Sequence, residues 1–549
     1  VISASRVLTL DTTVTAADGT ALATDVTVAD DGQQHPVVLV RTPYGRASAR
    51  AAHDAVGLAR LGFAVVTQDV RGRWDSAGQF TPFRSERDDG ARTVAWCATQ
   101  PWSAGAVAMI GASYNGFTQW LALAERPAGL RVVAPAVAGP SIRSVAYEGG
   151  ALQLGVFSSW TLGLGALGSN LEDGVRQESI EALDTWPASI PLAEKTLTAI
   201  SPDWQRWLGS GGTADRSGGA AGDRSGAAGD GPWSELDATP ALDGAGTDVA
   251  GYHLAGWHDL FCENTIAGYS LLAGGDRRAA HRQRLVVGPW SHGSMLRRTT
   301  GQLDFGVAAM GDFNGLYEEQ AGFLSAGLAG GEVPHGVRVH VMGTNRWLDL
   351  EAWPPPAHET AFYLAADGRL DRPTPQESGT DRYRHDPADP VPTNGGRTLH
   401  PVLPEAGPRD QRDVERRPDV LVYTGDVLSQ DLTVLGTVRA HVVFESTAAV
   451  ADVAVKLVDV HPDGTAMSVV DSVRRVATPA GGTSGDGTEV EVTVGSTAMT
   501  FRAGHRIRVE IASSNYPRFD LCPAGDQTVH RGGRAASRIV LPTYAGTLS

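Results

Sequence analysis

Val107-Ala-Met-Ile-Gly-Ala-Ser-Tyr-Asn-Gly116 decides how this chain is read. Four apolar residues, Val107 to Ile110, run into Gly111, and a helical segment starts near Phe117. A short buried strand that turns sharply into a helix has this pattern. Gly111 and Gly116 carry no side chains, so strand and helix can close on each other around the turn. The residue at the tip is then pushed outward in a strained backbone conformation. That residue is Ser113, whose hydroxyl is expected to stand above the sheet. In the usual five-residue form of such a turn the second glycine falls two positions after the serine. Here that position is Asn115, and the glycine comes one later. An ordinary Gly-rich turn reads the same way, so the assignment depends on what lies around it.

Strands alternate with helices on both sides of the turn. Upstream, Val7 to Leu10 and Thr24 to Val28 read as antiparallel strands, and Val37 to Val40 as a buried one. A helix is expected over 51–60, a strand from Phe63 to Asp69 and a helix from Asp88 to Thr99. Downstream, Arg131 to Pro135 is the next strand. This alternation implies a parallel sheet with crossover helices. It lapses after about residue 145, where helices are expected over 151–163, 175–183 and 193–199. The segment 209–231 is Gly-, Ala-, Ser- and Asp-rich and nearly repeats itself at Asp215-Arg-Ser-Gly218 and Asp223-Arg-Ser-Gly226. Too little apolar surface is present there to fold alone, and it reads as a flexible surface loop. Alternation resumes with Val249 to Gly256, a helix over 265–272, Leu285 to Gly288, helical material over 314–328 and Val337 to Met342.

After Trp353-Pro-Pro-Pro356 the pattern is β throughout, with strands at Val420 to Tyr423, Thr433 to Phe444, Val453 to Val460, Glu489 to Val494 and Ile507 to Ala512. The fold class is therefore α/β, with an all-β C-terminal domain of jelly-roll type. The expected division is a first part of the α/β domain (1–144), a helical cap insertion (145–240), the second part of the α/β domain (241–354) and the β-sandwich (355–549).

The chain has 549 residues, 42% of them hydrophobic, which is ample for several cores. A formal net charge of −16 and the lack of a basic cluster argue against nucleic acid as a partner. No apolar run is long enough to span a membrane, and the first residues do not read as a signal peptide. Cys97, Cys262 and Cys522 are far apart, form no metal spacing and fit a reducing compartment, so cytoplasm is the expected location. No metal set and no phosphate-binding loop is found, and no cofactor is expected. The oligomeric state is not encoded in any pattern seen here.

A serine hydroxyl needs a histidine to take its proton and a carboxylate to orient that histidine. Two later loops supply them. Gly256-Trp-His-Asp-Leu-Phe261 follows a strand and offers Asp259; Gly288-Pro-Trp-Ser-His-Gly293 follows the next and offers His292. Both lie just past the C-terminal ends of strands, where ligands bind in open α/β sheets. An isolated aspartate here also reads as a helix N-cap. His253 and His258 compete as bases, but they lie within or before the acid's loop, so His292 is the better choice.

Together these motifs resemble the cocaine esterase and X-Pro dipeptidyl-peptidase family of serine hydrolases. Arg41-Thr-Pro-Tyr-Gly-Arg46, Gln68-Asp-Val-Arg-Gly72 with Ser76, Gly78 and Phe80, and Ser513-Ser-Asn-Tyr-Pro-Arg-Phe519 also fit, so the resemblance covers nearly the whole chain. It implies an α/β-hydrolase domain with a helical cap and a jelly roll. It also implies the triad Ser113, Asp259 and His292. The oxyanion hole is then the backbone N–H of Tyr114 and the phenol of Tyr44. The late second elbow glycine is normal in such proteins.

Some relatives hold the ammonium of α-amino esters with acids two and three residues after the triad aspartate. Here those positions are Phe261 and Cys262, and Glu263 is the only acid nearby. Phe261 instead resembles the aromatic acyl pocket of the cocaine esterase branch, with Trp160 as a second wall or as plain cap packing. The expected reaction is acyl transfer from a small-molecule ester, with an amide or X-Pro peptide as the alternative substrate. A non-catalytic carbohydrate-binding protein is the reading from another class, disfavoured because every triad position is filled.

Overall fold

Ser113 sits at the end of the fifth strand of a ten-stranded sheet, and that sheet explains its position. The computed structural model describes residues 6–168, 173–190, 193–205, 233–244, 248–275, 277–400, 403, 405–478, 487–533 and 536–547. The Gly-rich segment 209–231 lies outside the described residues. The sheet strands are β1 (Val7–Thr15), β2 (Ala21–Ala29), β3 (His35–Thr42), β4 (Ala64–Asp69), β5 (Ser103–Ala112), β6 (Leu130–Ala136), β7 (Ala250–Gly256), β8 (Gln283–Gly288), β9 (Gly336–Val341) and β10 (Arg346–Leu350). Their spatial order is β1-β2-β4-β3-β5-β6-β7-β8-β9-β10. Strands β3 to β9 are parallel, while the β1–β2 hairpin and β10 close the two edges antiparallel.

Alternation along the strands divides the core between the two faces. Val107 and Met109 of β5 pack with Val37 and Leu39 of β3 against two helices on one face. Ala108 packs on the other face with Val132, Leu254 and Val286, beneath Phe323 and Leu328. Among the described residues, the longer helices begin with α1 (Arg46–Ala52), α2 (Ala55–Arg60), α3 (Glu86–Ala98), α4 (Tyr114–Ala124), α5 (Leu154–Leu167) and α6 (Asp173–Asp184). They are followed by α7 (Glu194–Ile200), α8 (Cys262–Ala273) and α9 (Leu316–Leu328). The single helix expected over 51–60 is two. Asp54 takes a left-handed conformation, φ 41°, and its side chain caps the N-terminus of α2 by accepting from the Gly57 N–H. Helices α5 to α7 lie between β6 and β7, where helices replace the strand–helix alternation.

The β-rich region is an eleven-stranded sheet running from His358 to Thr543. Its core is continuous with that of the α/β sheet: Trp257, Leu285, Val287 and Val339 belong to the same buried cluster as Val438, Val455 and Ile539. Several of its strands are not evident from the sequence, among them Ala466–Ala477, Gly525–Arg531 and Arg538–Thr543. Gly525–Arg531 is polar, and it is a strand because it pairs residue for residue with Gly379–His385. No helix among the described residues is long and apolar enough to cross a membrane.

Candidate active site

The elbow has the geometry that its glycines permit. Ser113 has φ 58° and ψ −125°, immediately after β5 and immediately before α4. A non-glycine residue there costs on the order of 1–3 kcal/mol and persists only where its surroundings fix it. Gly111 and Gly116 are part of that fixing. A Cβ on Gly111 would lie 2.6 Å from the Asn115 Cβ, and one on Gly116 would lie 2.5 Å from the Ala138 Cβ. The Ser113 N–H donates to Ala136 O of the neighbouring strand, and its own carbonyl accepts from Gly116 and Phe117. Tyr114, the first residue of α4, has a backbone N–H with no intrahelical acceptor.

Asp259 and His292 come together from adjacent loops. His292 Nδ1 is 2.6 Å from Asp259 Oδ2, and Asp259 is fully buried. The other carboxylate oxygen, Oδ1, accepts from the Phe261 N–H at 2.7 Å, so a single side chain orients both the histidine and the start of α8. The two loops are tied through their backbones: Trp257 N–H donates to Gly288 O, and His258 N–H to Trp290 O. His258 and His253 are fully buried, and burial pushes their imidazoles down to about 3 and about 4, so neither is placed to exchange protons with a ligand.

Ser113 Oγ and His292 are not hydrogen-bonded to each other, but Phe261 connects their surroundings. The Phe261 ring is 5.2 Å from the His292 ring and 5.4 Å from the Phe117 ring, and it lines a cavity together with Ser113. Catalytic hydrogen bonds are often long before substrate binds and tighten afterwards. Trp160, Phe157 and Val156 of α5 form another wall of the cavity, and Leu399, from beyond β10, closes it. Among the described residues, none that lines it is charged.

Tyr44 stands beside this cavity. Its phenol accepts a 3.0 Å hydrogen bond from the Trp160 indole N–H, and burial holds its pKa above the usual tyrosine value. It is therefore an O–H donor at neutral pH. The arginines that bracket its loop are anchors. Arg41 is fully buried and pairs with Glu86 at 2.5 Å, and Arg46 pairs with Asp25 and Asp69. The Tyr114 side chain lines the cavity; its hydroxyl donates to Glu86 at 2.8 Å and its ring stacks on Phe83 at 4.3 Å.

Three contacts are not evident from the sequence. Arg73 is buried and donates to Pro43 O at 3.0 Å, just before Tyr44. Trp160 is a partner of Tyr44 as well as a wall. Arg397 is buried and donates to Trp257 O, to Ser496 O and to Glu263, so the β-rich region buttresses the Asp259 loop. Glu263 also accepts from the Ser496 N–H and hydroxyl, which commits it to this contact. Each of these joins segments distant in sequence, and no local pattern marks them.

The chain matches two family models: the X-Pro dipeptidyl-peptidase (S15 family) over residues 18–294, and the X-Pro dipeptidyl-peptidase C-terminal non-catalytic domain over 332–543. It is 32% identical to the cocaine esterase of Rhodococcus sp. over 96% of both chains. Among solved structures it resembles an aminopeptidase from a marine-sediment Thaumarchaeota archaeon, with a TM-score of 0.80, 23% identity and coverage of 98% of this chain and 97% of the other. An α-amino acid ester hydrolase gives a TM-score of 0.81 at 23% identity, covering 99% and 98%. These two show the shared α/β-hydrolase fold with its β-rich C-terminal domain. With its elbow serine, its linked histidine and aspartate and this relationship along nearly its whole length, the chain belongs to the X-Pro dipeptidyl-peptidase (S15) family of serine hydrolases.

Proposed function

We propose that this enzyme hydrolyses carboxylic esters of apolar, and preferentially aromatic, acyl groups, in the manner of a cocaine esterase. Ser113 Oγ attacks the ester carbonyl while His292 Nε2 takes its proton. Asp259 accepts from His292 Nδ1, which fixes the tautomer that leaves Nε2 basic and stabilises the imidazolium. The Tyr114 N–H and the Tyr44 phenol donate to the oxyanion of the tetrahedral intermediate. His292 then returns the proton to the departing alcohol, leaving an acyl-Ser113 ester. Water, deprotonated by His292, attacks that ester, and collapse of the second tetrahedral intermediate releases the acid and regenerates the Ser113 hydroxyl.

The observation that carries the acyl specificity is the uncharged, aromatic cavity beside Ser113, bounded by Phe261, Phe117, Phe83 and Trp160. An α-amino ester or a peptide N-terminus needs a carboxylate partner for its ammonium. Glu263, the acid nearest the cavity in sequence apart from Asp259, is already paired with Arg397. Amide or X-Pro dipeptide cleavage uses the same nucleophile and is the second reading supported by the family match. Turnover of matched phenyl benzoate, phenyl acetate, benzanilide and X-Pro-anilide substrates separates the two. The benzoyl ester is expected to have the highest kcat/KM. Faster X-Pro-anilide turnover would reject the ester assignment.

A further inference from the structure

The β-rich domain carries a second constellation, remote in sequence from every residue of the cavity. Asp459 and His461 lie two apart at the end of the strand Val450–Val460, so their side chains leave on one face. The antiparallel register pairs Asp459 with Ile507 and Val460 with Arg506. One step further sets His505 opposite His461. His505 Nδ1 is 2.9 Å from Asp459 Oδ1 and 3.0 Å from Oδ2, and His461 Nε2 is 3.4 Å from Oδ2. The two imidazole rings are 4.5 Å apart. One donor atom from each of the three residues lies within 4.8 Å of the others.

We propose that Asp459, His461 and His505 bind a divalent transition-metal ion of the zinc type. Ligand atoms arranged tetrahedrally at about 2.0–2.1 Å from zinc are roughly 3.3 Å from one another, close to the spacing found here. Two imidazole nitrogens and one carboxylate suit zinc, cobalt, nickel or copper, whereas calcium and magnesium take oxygen ligands. Asp459 is buried and the two histidines are partly exposed, so an ion enters from solvent onto a fixed carboxylate. Asp410 and Asp463 add negative potential at His461, although Arg412 pairs with Asp410. Both histidines sit in hydrogen-bonded turns: His461 N–H donates to Thr465 O, and His505 N–H to Arg502 O. A bound ion would cross-link these two turns at one end of the sandwich. Three protein ligands leave a coordination position for water.

The test uses the full chain and zinc chloride alone. Calorimetric titration compares wild type with Asp459→Asn and with the His461→Ala/His505→Ala double variant. Wild type should bind one equivalent more than the double variant, and Asp459→Asn should lose more than tenfold in affinity for that equivalent. Cobalt should give visible absorption bands with wild type that the double variant lacks. Ester turnover in these variants should match wild type, because none of the three residues touches the cavity. Since the variants could fail to fold, wild-type melting is measured as well. Saturating zinc should raise the melting temperature, and chelation should reverse the rise. Equal stoichiometry in wild type and double variant, or no zinc-dependent rise in wild type, would reduce the cluster to a His–Asp–His hydrogen-bonded contact and overturn the proposal.

Discussion

The Trp160 indole N–H donates to the Tyr44 phenol across 3.0 Å, so the phenol oxygen already has a donor and its own proton is left for another acceptor. A wall of the proposed acyl pocket thereby also orients Tyr44, the proposed oxyanion donor. Trp160→Phe keeps an aromatic wall and removes only that hydrogen bond. It is expected to lower kcat by roughly 3–10-fold, the worth of one neutral hydrogen bond, with little change in KM. Tyr44→Phe removes the donor itself and should cost roughly 10²–10³ in kcat. Steady-state kinetics on one ester with both variants checks the order. A rise in KM at constant kcat would make Tyr44 a binding residue instead.

The acyl pocket makes a sharper demand. Phe261 packs edge-on to both Phe117 and His292. Phe261→Ala should cost on the order of 1–3 kcal/mol of transition-state binding for benzoyl esters and much less for acetyl esters, which do not fill the space. Leu399→Ala, across the cavity, should shift the same ratio in the same direction. The measurement is kcat/KM for the paired esters. Equal losses on both would show that Phe261 merely supports the Asp259 loop.

Arg397 links that loop to the β-rich domain. Arg397→Met strands the Trp257 and Ser496 carbonyls, and each unsatisfied buried group costs about 1–3 kcal/mol. Denaturant melts should show the loss. Ester turnover should fall at temperatures well below the melting transition, because the Asp259 loop is no longer braced. A variant that loses stability and keeps full kcat would confine Arg397 to holding the domains together.

Stability should also fall in mild acid. His253, His258 and His340 are fully buried, and desolvation pushes them down to about 4, about 3 and about 4. In the unfolded chain they take up protons near pH 6.5. Their folded values are lower, so the folded state binds fewer protons and stability rises with pH. The contribution is complete above about pH 6.5 and is lost as pH falls towards the folded values. Each histidine contributes a slope of about 1.4 kcal/mol per pH unit. Denaturant unfolding between pH 5.5 and 4.5, where the unfolded histidines are almost fully protonated, should approach this slope, and His258→Gln should flatten it by the share of one histidine. An unchanged slope would mean that His258 is protonated in the fold.

The elbow, the two loops after β7 and β8, and the change from α/β to β were legible because each rests on local pattern: apolar runs, glycines and motif order. The edge strand β10 and the strand Gly525–Arg531 were not, because pairing rather than composition makes them strands. The helix expected over 51–60 broke where Asp54 preferred to cap. The candidate site was legible at Ser113, Asp259, His292 and Tyr44. Trp160 was readable as a wall but not as a hydrogen-bond donor to Tyr44, and Arg73, Arg397 and Leu399 reach the site only through tertiary contacts. The Asp459–His461–His505 cluster escaped a search for metal spacing because two strands far apart in the chain supply it.

Fluorophosphonate labelling, read by intact mass and peptide mapping and paired with phenyl ester turnover, tests the central claim most directly. One adduct is expected per chain, on Ser113. Ser113→Ala should lose the adduct and reduce kcat by ~10⁴ or more while keeping the wild-type melting temperature. An adduct on another residue, or substantial turnover in folded Ser113→Ala, would contradict the account.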